Sequence, residues 1–235
     1  MNKKGMKISI ILLIFLIHCN LSAQDVTLPK TREFQQSLTP DDVINILKEG
    51  NSRFINNMRL EREYHTEVKK TSQGQYPWAV LHGCMDSRVT SEIIFDTGIG
   101  DIFVNSLAGN IITDEVIGSM EYGCNVVGSK LILVLGHTNC GAVKGAIDDV
   151  EFGNITTVLN GIHPAVDSAK FLLSSNIFTS SNSSFVELVT RLNVKMGMDE
   201  IRRRSPALKE LEDNGKIRIV GAIYDVETGE VKFLE

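Results

Sequence analysis

Three short, unbroken apolar runs punctuate the middle of the chain. Trp78, Ala79, Val80 and Leu81 follow Pro77, Ile102, Phe103 and Val104 follow Asp101, and residues 131–135 read Leu-Ile-Leu-Val-Leu. Each run is too short for a helix and lacks polar alternation, which is the pattern of strands buried on both faces of a parallel sheet. Between the second and third runs, residues 113–125 keep helical spacing, with Thr113 placed as N-cap. Strands alternating with helices predict an α/β fold: a mostly parallel central β-sheet flanked by helices.

The flanks complete the prediction. Thr39-Pro40-Asp41-Asp42 starts a helix, with a capping hydroxyl, proline at the first helical position and acids beside the positive end of the dipole. Val43, Ile44, Leu47, Phe54, Ile55 and Met58 continue it at near-helical spacing, with Gly50 as a weak point. Residues 24–38 read as a polar surface arm, and the highly charged residues 59–73 as loop or solvated helix. Helices follow over 156–174, from Phe185 to about Arg204, and after Pro206 as far as Asn214-Gly215, with a Ser/Asn-rich break between the first two. Residues 216–224 and 230–234 flank a turn at Thr228-Gly229 and predict a C-terminal edge hairpin. With the N-terminal helical arm, residues 39–235 are expected to form a single domain.

Composition changes this picture little and charge narrows it. The 235 residues are 43% hydrophobic and 23% charged, ordinary for a globular chain. With 24 Lys+Arg against 29 Asp+Glu the net charge is −5, and no basic run offers a footprint for nucleic acid. Residues 1–23 have the order of a secretory signal peptide: Lys3, Lys4 and Lys7, then an apolar stretch over 8–17, then Leu21-Ser22-Ala23. That stretch is shorter than the ~20 residues needed to span a bilayer. The expectation is therefore export to a periplasm or beyond, with no stable membrane span after processing. A lipid anchor at Cys19 is a weaker alternative, because His18 is bulky where such processing wants a small residue.

Removing residues 1–23 leaves Cys84, Cys124 and Cys140, an odd number that argues against a disulfide framework. The first apolar run ends at Cys84 and the third at His137, with Cys140 three residues on. Ligand sites of open parallel sheets lie beyond the carboxyl ends of the strands, so these segments are expected to meet on one edge. Two thiolates and an imidazole suit Zn²⁺, and three ligands leave a fourth position for solvent or for a protein group. Asp86 and Arg88 bear on that choice. An arginine two residues away can hold the carboxylate in a two-pronged pair, off the metal, where it accepts a hydrogen bond from a zinc-bound hydroxide. If the pair breaks, Asp86 becomes a conditional fourth ligand and closes the site. Two thiolates neutralise the ion formally, which predicts best activity on the alkaline side. A Cys84–Cys140 disulfide is the competing reading, and it leaves His137 and Asp86 unexplained. His82 is expected to pack, His163 to be a loop residue, Cys124 a buried small hydrophobe, and Arg202-Arg203-Arg204 a solvated helix end.

The segments Cys84-Met85-Asp86-Ser87-Arg88-Val89 and Gly136-His137-Thr138-Asn139-Cys140-Gly141-Ala142 resemble the two signatures of β-class carbonic anhydrases. Phe95-Asp96, Gly100-Asp101-Ile102-Phe103-Val104, Ala108-Gly109-Asn110 and Ser119-Met120-Glu121-Tyr122 continue the pattern in order, as do Gly50-Asn51-Ser52-Arg53-Phe54 and Gly74-Gln75-Tyr76-Pro77 upstream. The resemblance implies zinc-dependent interconversion of CO₂ and bicarbonate, with one Zn²⁺ per subunit on Cys84, His137 and Cys140 and an orienting Asp86–Arg88 dyad. It implies a substrate-binding role for Gln75, and a homodimer or homotetramer in which the N-terminal helix grips a partner subunit. The chain departs from the family at Asn105-Ser106, where an arginine is common. Two alternatives are kept: hydrolysis of carbonyl sulfide or carbon disulfide on the same site, and a catalytically silent zinc-binding protein.

Overall fold

The computed structural model describes residues 30–173 and 177–234. Its helices are α1 (Arg32–Ser37), α2 (Pro40–Ile55), α3 (Tyr64–Thr71), α4 (Ser91–Ile94), α5 (Asp114–Glu121), α6 (Gly141–Ile147), α7 (Ile155–Asn160), α8 (His163–Leu172), α9 (Ser183–Arg204) and α10 (Pro206–Asp213). The strands are β1 (Ala79–Gly83), β2 (Ile102–Ser106), β3 (Leu131–His137), β4 (Arg218–Tyr224) and β5 (Val231–Phe233). They form one sheet in the order β2-β1-β3-β4-β5, parallel except for the antiparallel edge strand β5. The α/β architecture and the closing hairpin match the expectation.

The apolar runs become central strands because both of their faces are covered. Ala79, Leu81, Leu131, Leu133 and Leu135 pack with Val43, Ile44 and Leu47 of α2 on one side. Val80, Ile132 and Val134 pack on the other with Val116 and Met120 of α5 and Val194 and Ile201 of α9. Alternate residues thus enter two different cores, so no polar position interrupts the run.

Helix α2 begins at the expected cap. Asp42 N–H donates to Thr39 Oγ1 at 3.2 Å and Thr39 N–H to Asp42 Oδ2 at 2.9 Å, a reciprocal capping box. Gly50 is a close approach rather than a weak point: a Cβ there would lie 1.9 Å from the Phe95 carbonyl oxygen. The next residue, Asn51, donates to the Gly229 carbonyl at 2.9 Å and accepts from Val231 N–H at 2.9 Å, pinning the terminal hairpin to α2.

Several local expectations need correction. The described part of the polar arm is not all surface. Thr31 caps α1, Gln35 is buried and donates to the Pro77 carbonyl at 2.7 Å, and Lys30 is buried against Asp101. The charged stretch 59–73 is not merely solvated: Glu67 of α3 is buried, pairs with Arg62 at 3.2 Å and accepts from Ile99 N–H. Each polar group is buried because another polar group satisfies it, which periodicity cannot register. The region 156–174 is two helices broken at Gly161-Ile162, and His163 opens the second instead of lying in a loop. Arg202 reaches Glu212 and the Ile219 carbonyl, and Arg204 the Ile112 carbonyl, so the arginine run ties α9 to its neighbours. The stretch 1–23 lies outside the described residues. Among the described residues no helix is long and apolar enough to cross a membrane.

Candidate metal centre

β1 and β3 are parallel neighbours, with Gly83 opposite Leu135, so both chains leave the sheet at the same edge. Cys84 follows β1 directly, and His137 is the last residue of β3. The Thr138-Asn139 turn then reverses the chain, with Asn139 in the left-handed region at φ 56° and Cys140 capping α6. Thr138 anchors this turn to β4: its N–H donates to the Tyr224 carbonyl, and its hydroxyl accepts from Val226 N–H at 3.0 Å.

The donor atoms of Cys84, His137 and Cys140 lie within 4.8 Å of one another, and all three residues are buried. The two sulfurs are 4.0 Å apart and both cysteines are free, which rules out the disulfide reading. Two thiolates on one tetrahedral zinc sit about 3.8 Å apart, given Zn–S bonds of about 2.3 Å. His137 Nδ1 is 2.9 Å from the Thr138 carbonyl, which fixes that nitrogen as donor and leaves Nε2 as a lone pair. Nε2 is buried without a hydrogen-bond partner. An orphaned imidazole nitrogen facing two thiols is an unsatisfied arrangement that a soft divalent cation satisfies. The residues fit zinc.

Electrostatics point the same way. The neighbouring Cys140 thiol, then His137 and the Gly109 N–H, lower Cys84 to about 4 against the cost of burial. Cys140 is pushed up by the Cys84 thiolate and by burial. A cation held by both thiolates would displace the proton that these shifts favour on Cys140.

Asp86 stands beside this donor set without joining it. Its Oδ1 accepts from Arg88 Nε at 2.9 Å and from Arg88 N–H at 3.0 Å, and its Oδ2 accepts from Arg88 Nη2 at 2.7 Å. Oδ2 remains 3.8 Å from His137 Nε2. The Arg88 hydrogen bonds hold the Asp86 carboxyl well below the usual carboxylate range. The fork-to-fork pair predicted from the two-residue spacing is therefore formed.

Gln75 is not brought to this edge. It is exposed before Pro77 at the opposite end of β1, beside Ser72 and Gly100. A five-residue strand separates it from Cys84, roughly 15 Å of extended chain, so it does not line the donor set of its own chain. His82 is fully buried, within 3.0 Å of the Ile111 carbonyl, and burial lowers its pKa, which fits a packed residue. Cys124 is buried as expected. Two contacts went unread in the sequence. Ser106, in the stretch that departs from the family, donates to the Cys84 carbonyl at 3.2 Å, and Gly109 N–H donates to Cys84 Sγ at 3.3 Å. The Ala108-Gly109-Asn110 motif was the signal for the second.

A buried Cys-His-Cys donor set on the carboxyl edge of a parallel sheet, beside a clamped carboxylate, defines the class: an α/β protein whose sheet edge carries a donor set able to hold a metal ion. Comparisons with known proteins agree. A family model described as carbonic anhydrase matches residues 79–231. Carbonic anhydrase 2 of Mycobacterium tuberculosis is 36% identical over 189 residues, 78% of this chain and 87% of that one. The carbonic anhydrase of Mycolicibacterium smegmatis is 34% identical over 79% of this chain and 89% of that one. Among solved structures, the β-carbonic anhydrase CafA of Aspergillus fumigatus aligns with TM-score 0.65 at 25% identity, over 83% of this chain and 90% of that one. The Coccomyxa β-carbonic anhydrase aligns with TM-score 0.63 at 27% identity, over 72% and 77%. The chain belongs to the β-carbonic anhydrase family, whose activity is the reversible hydration of CO₂.

Proposed function

We propose that Cys84, His137 and Cys140 hold one Zn²⁺ and that the Asp86–Arg88 pair orients the nucleophile for CO₂ hydration. The observation that carries this reading is the clamp: Arg88 takes both carboxylate oxygens of Asp86 and leaves its Oδ2 facing the donor set from 3.8 Å. Zinc bound there would supply a Lewis acid that makes solvent nucleophilic near neutral pH. His137 presents Nε2 because the Thr138 carbonyl holds the proton on Nδ1. Asp86, kept ionised by Arg88, is an acceptor only. It takes the hydrogen bond of the attacking group and thereby fixes which lone pair faces the carbon of CO₂. A silent zinc protein would instead use this carboxylate as a permanent ligand, and the Arg88 clamp opposes that.

Gln75, exposed and remote from its own donor set, acts in this reading across a subunit boundary, on substrate in the site of a second copy. A homodimer or homotetramer follows, and the Sordaria macrospora β-carbonic anhydrases, similar in fold at 23% identity, are described as tetrameric. The order of charged, apolar and small residues in 1–23 supports export of the mature chain to a periplasm or beyond.

The deciding experiment is stopped-flow turnover of CO₂, carbonyl sulfide and carbon disulfide against pH, with zinc content measured on the same sample. The expected result is CO₂ hydration rising toward alkaline pH with one zinc per chain. Inactivity toward CO₂ with zinc present would reject it, and turnover of a sulfur analogue alone would reassign the substrate.

A further inference from the structure

One buried polar side chain outside the donor set is aimed at it through the backbone. Asn193 lies on the inward face of α9, among Val189, Val194 and Gly197, and only 8% of it is exposed. An amide in such a seam is unfavourable unless it is bonded. Its Nδ2 donates to the Gly109 carbonyl at 2.8 Å, across 84 residues of sequence. Gly109 in turn donates its own N–H to Cys84 Sγ.

The turn between these two bonds has little freedom. Gly109 sits at φ 66°, in the left-handed region, and a Cβ there would lie 2.5 Å from Ile162 Cδ1 and 3.2 Å from Ala142 Cβ. Asn110 N–H closes the turn onto the Leu107 carbonyl at 2.8 Å, and Leu107 N–H bonds the Gly83 carbonyl at 3.1 Å. The peptide that follows Gly109 is held at both ends, its N–H (that of Asn110) by the Leu107 carbonyl and its oxygen by Asn193. Gly109 Cα joins this peptide to the preceding one, which carries the Gly109 N–H, so losing the Asn193 bond frees the Cα to shift and the N–H to leave the sulfur.

We propose that Asn193 is a positioning residue for the metal centre, acting through Gly109 to keep an N–H bond on Cys84 Sγ. That bond draws charge from the thiolate, so it both aims the sulfur and sets how strongly it donates. The inference rests on the assignment of Cys84, His137 and Cys140 as zinc ligands.

The test compares the full chain with Asn193→Ala and with Asn193→Leu, which keeps the volume but not the donor. Thr190→Val, one turn earlier on α9 and away from Gly109, is the control for loss of a buried polar group. Zinc affinity by chelator competition, the sulfur-to-cobalt charge-transfer band of the Co²⁺-substituted protein, and thermal unfolding of the metal-free protein are measured for each. Both Asn193 variants are expected to bind zinc about 10-fold more weakly, in the range seen when outer partners of ligands are removed. Their charge-transfer band moves to longer wavelength, while Thr190→Val leaves affinity and band unchanged. Variants that melt earlier but keep the wild-type affinity and band would make Asn193 merely structural and overturn the inference. A wild-type chain that takes up no metal would overturn the ligand assignment itself, a separate and recognisable result.

Discussion

Arg88→Ala separates what the Asp86–Arg88 pair does for the fold from what it does for the reaction. The Arg88 side chain is 50% exposed, and solvent screens such a pair. Its loss should therefore leave Tm within a few degrees of the unchanged chain. The effect on the carboxylate is larger. Asp86 loses the two guanidinium bonds at 2.9 and 2.7 Å and keeps only the Arg88 backbone N–H at 3.0 Å. With Oδ2 already 3.8 Å from His137 Nε2, a rotation of the freed side chain takes it into the donor set. Losing one preorganised hydrogen-bonding group costs about 10²-fold in rate, or about 2.7 kcal/mol of barrier. The rate effect should thus be far larger than any effect on stability. Arg88→Lys keeps the charge without the fork and should fall between. The assay is stopped-flow CO₂ hydration with zinc per chain and Tm measured on the same preparations. Wild-type turnover in Arg88→Ala at full zinc content would refute the orienting role. A loss of rate that merely tracked unfolding would refute it equally.

Three further outcomes follow from the packing. Asp96 is fully buried and faces Arg53 at 2.6 Å, with Arg62 and Arg59 at 3.7 and 3.8 Å. Arg53 and Arg59 are 28% and 36% exposed and Glu67 still pairs the buried Arg62 at 3.2 Å, so Asp96→Ala removes a shared anion without stranding its cations and should cost about 1–3 kcal/mol in urea unfolding; a cost above about 4 kcal/mol would show that Arg62 is left unpaired. Gly50→Ala drives a methyl into the Phe95 carbonyl and should destabilise by about 1–3 kcal/mol, despite the gain in helix propensity, whereas a neutral or stabilising result would mean that α2 can shift. Burial pushes the Cys124 thiol up from 9.0 to about 12, so its contribution is whole below pH 9 and is lost as pH rises toward 12; Cys124→Ala should flatten this part of the alkaline decline in unfolding free energy, and an unchanged slope would refute it.

Much of this protein was legible one residue at a time. Uncovered strands would have alternated, so the apolar runs at 78–81 and 131–135 already specified a sheet buried on both faces. Because strands of a parallel sheet end on one edge, the sequence alone places Cys84 and His137 together. The Asp86–Arg88 clamp is short-range, so its two-residue spacing sufficed. Tertiary structure decided what depends on meetings between distant segments. Gly50 reads as a helix defect until Phe95 arrives against it. Glu67, Arg62 and Lys30 read as solvated until they bury one another. Gln75 lies at the end of β1 opposite Cys84, far from the donor set of its own chain. Asn193 carries no local sign of its bond to Gly109, 84 residues away. Local pattern reports the average medium around a residue, apolar or wet. A hydrogen bond or a backbone contact depends on one particular partner, and only the folded chain supplies it.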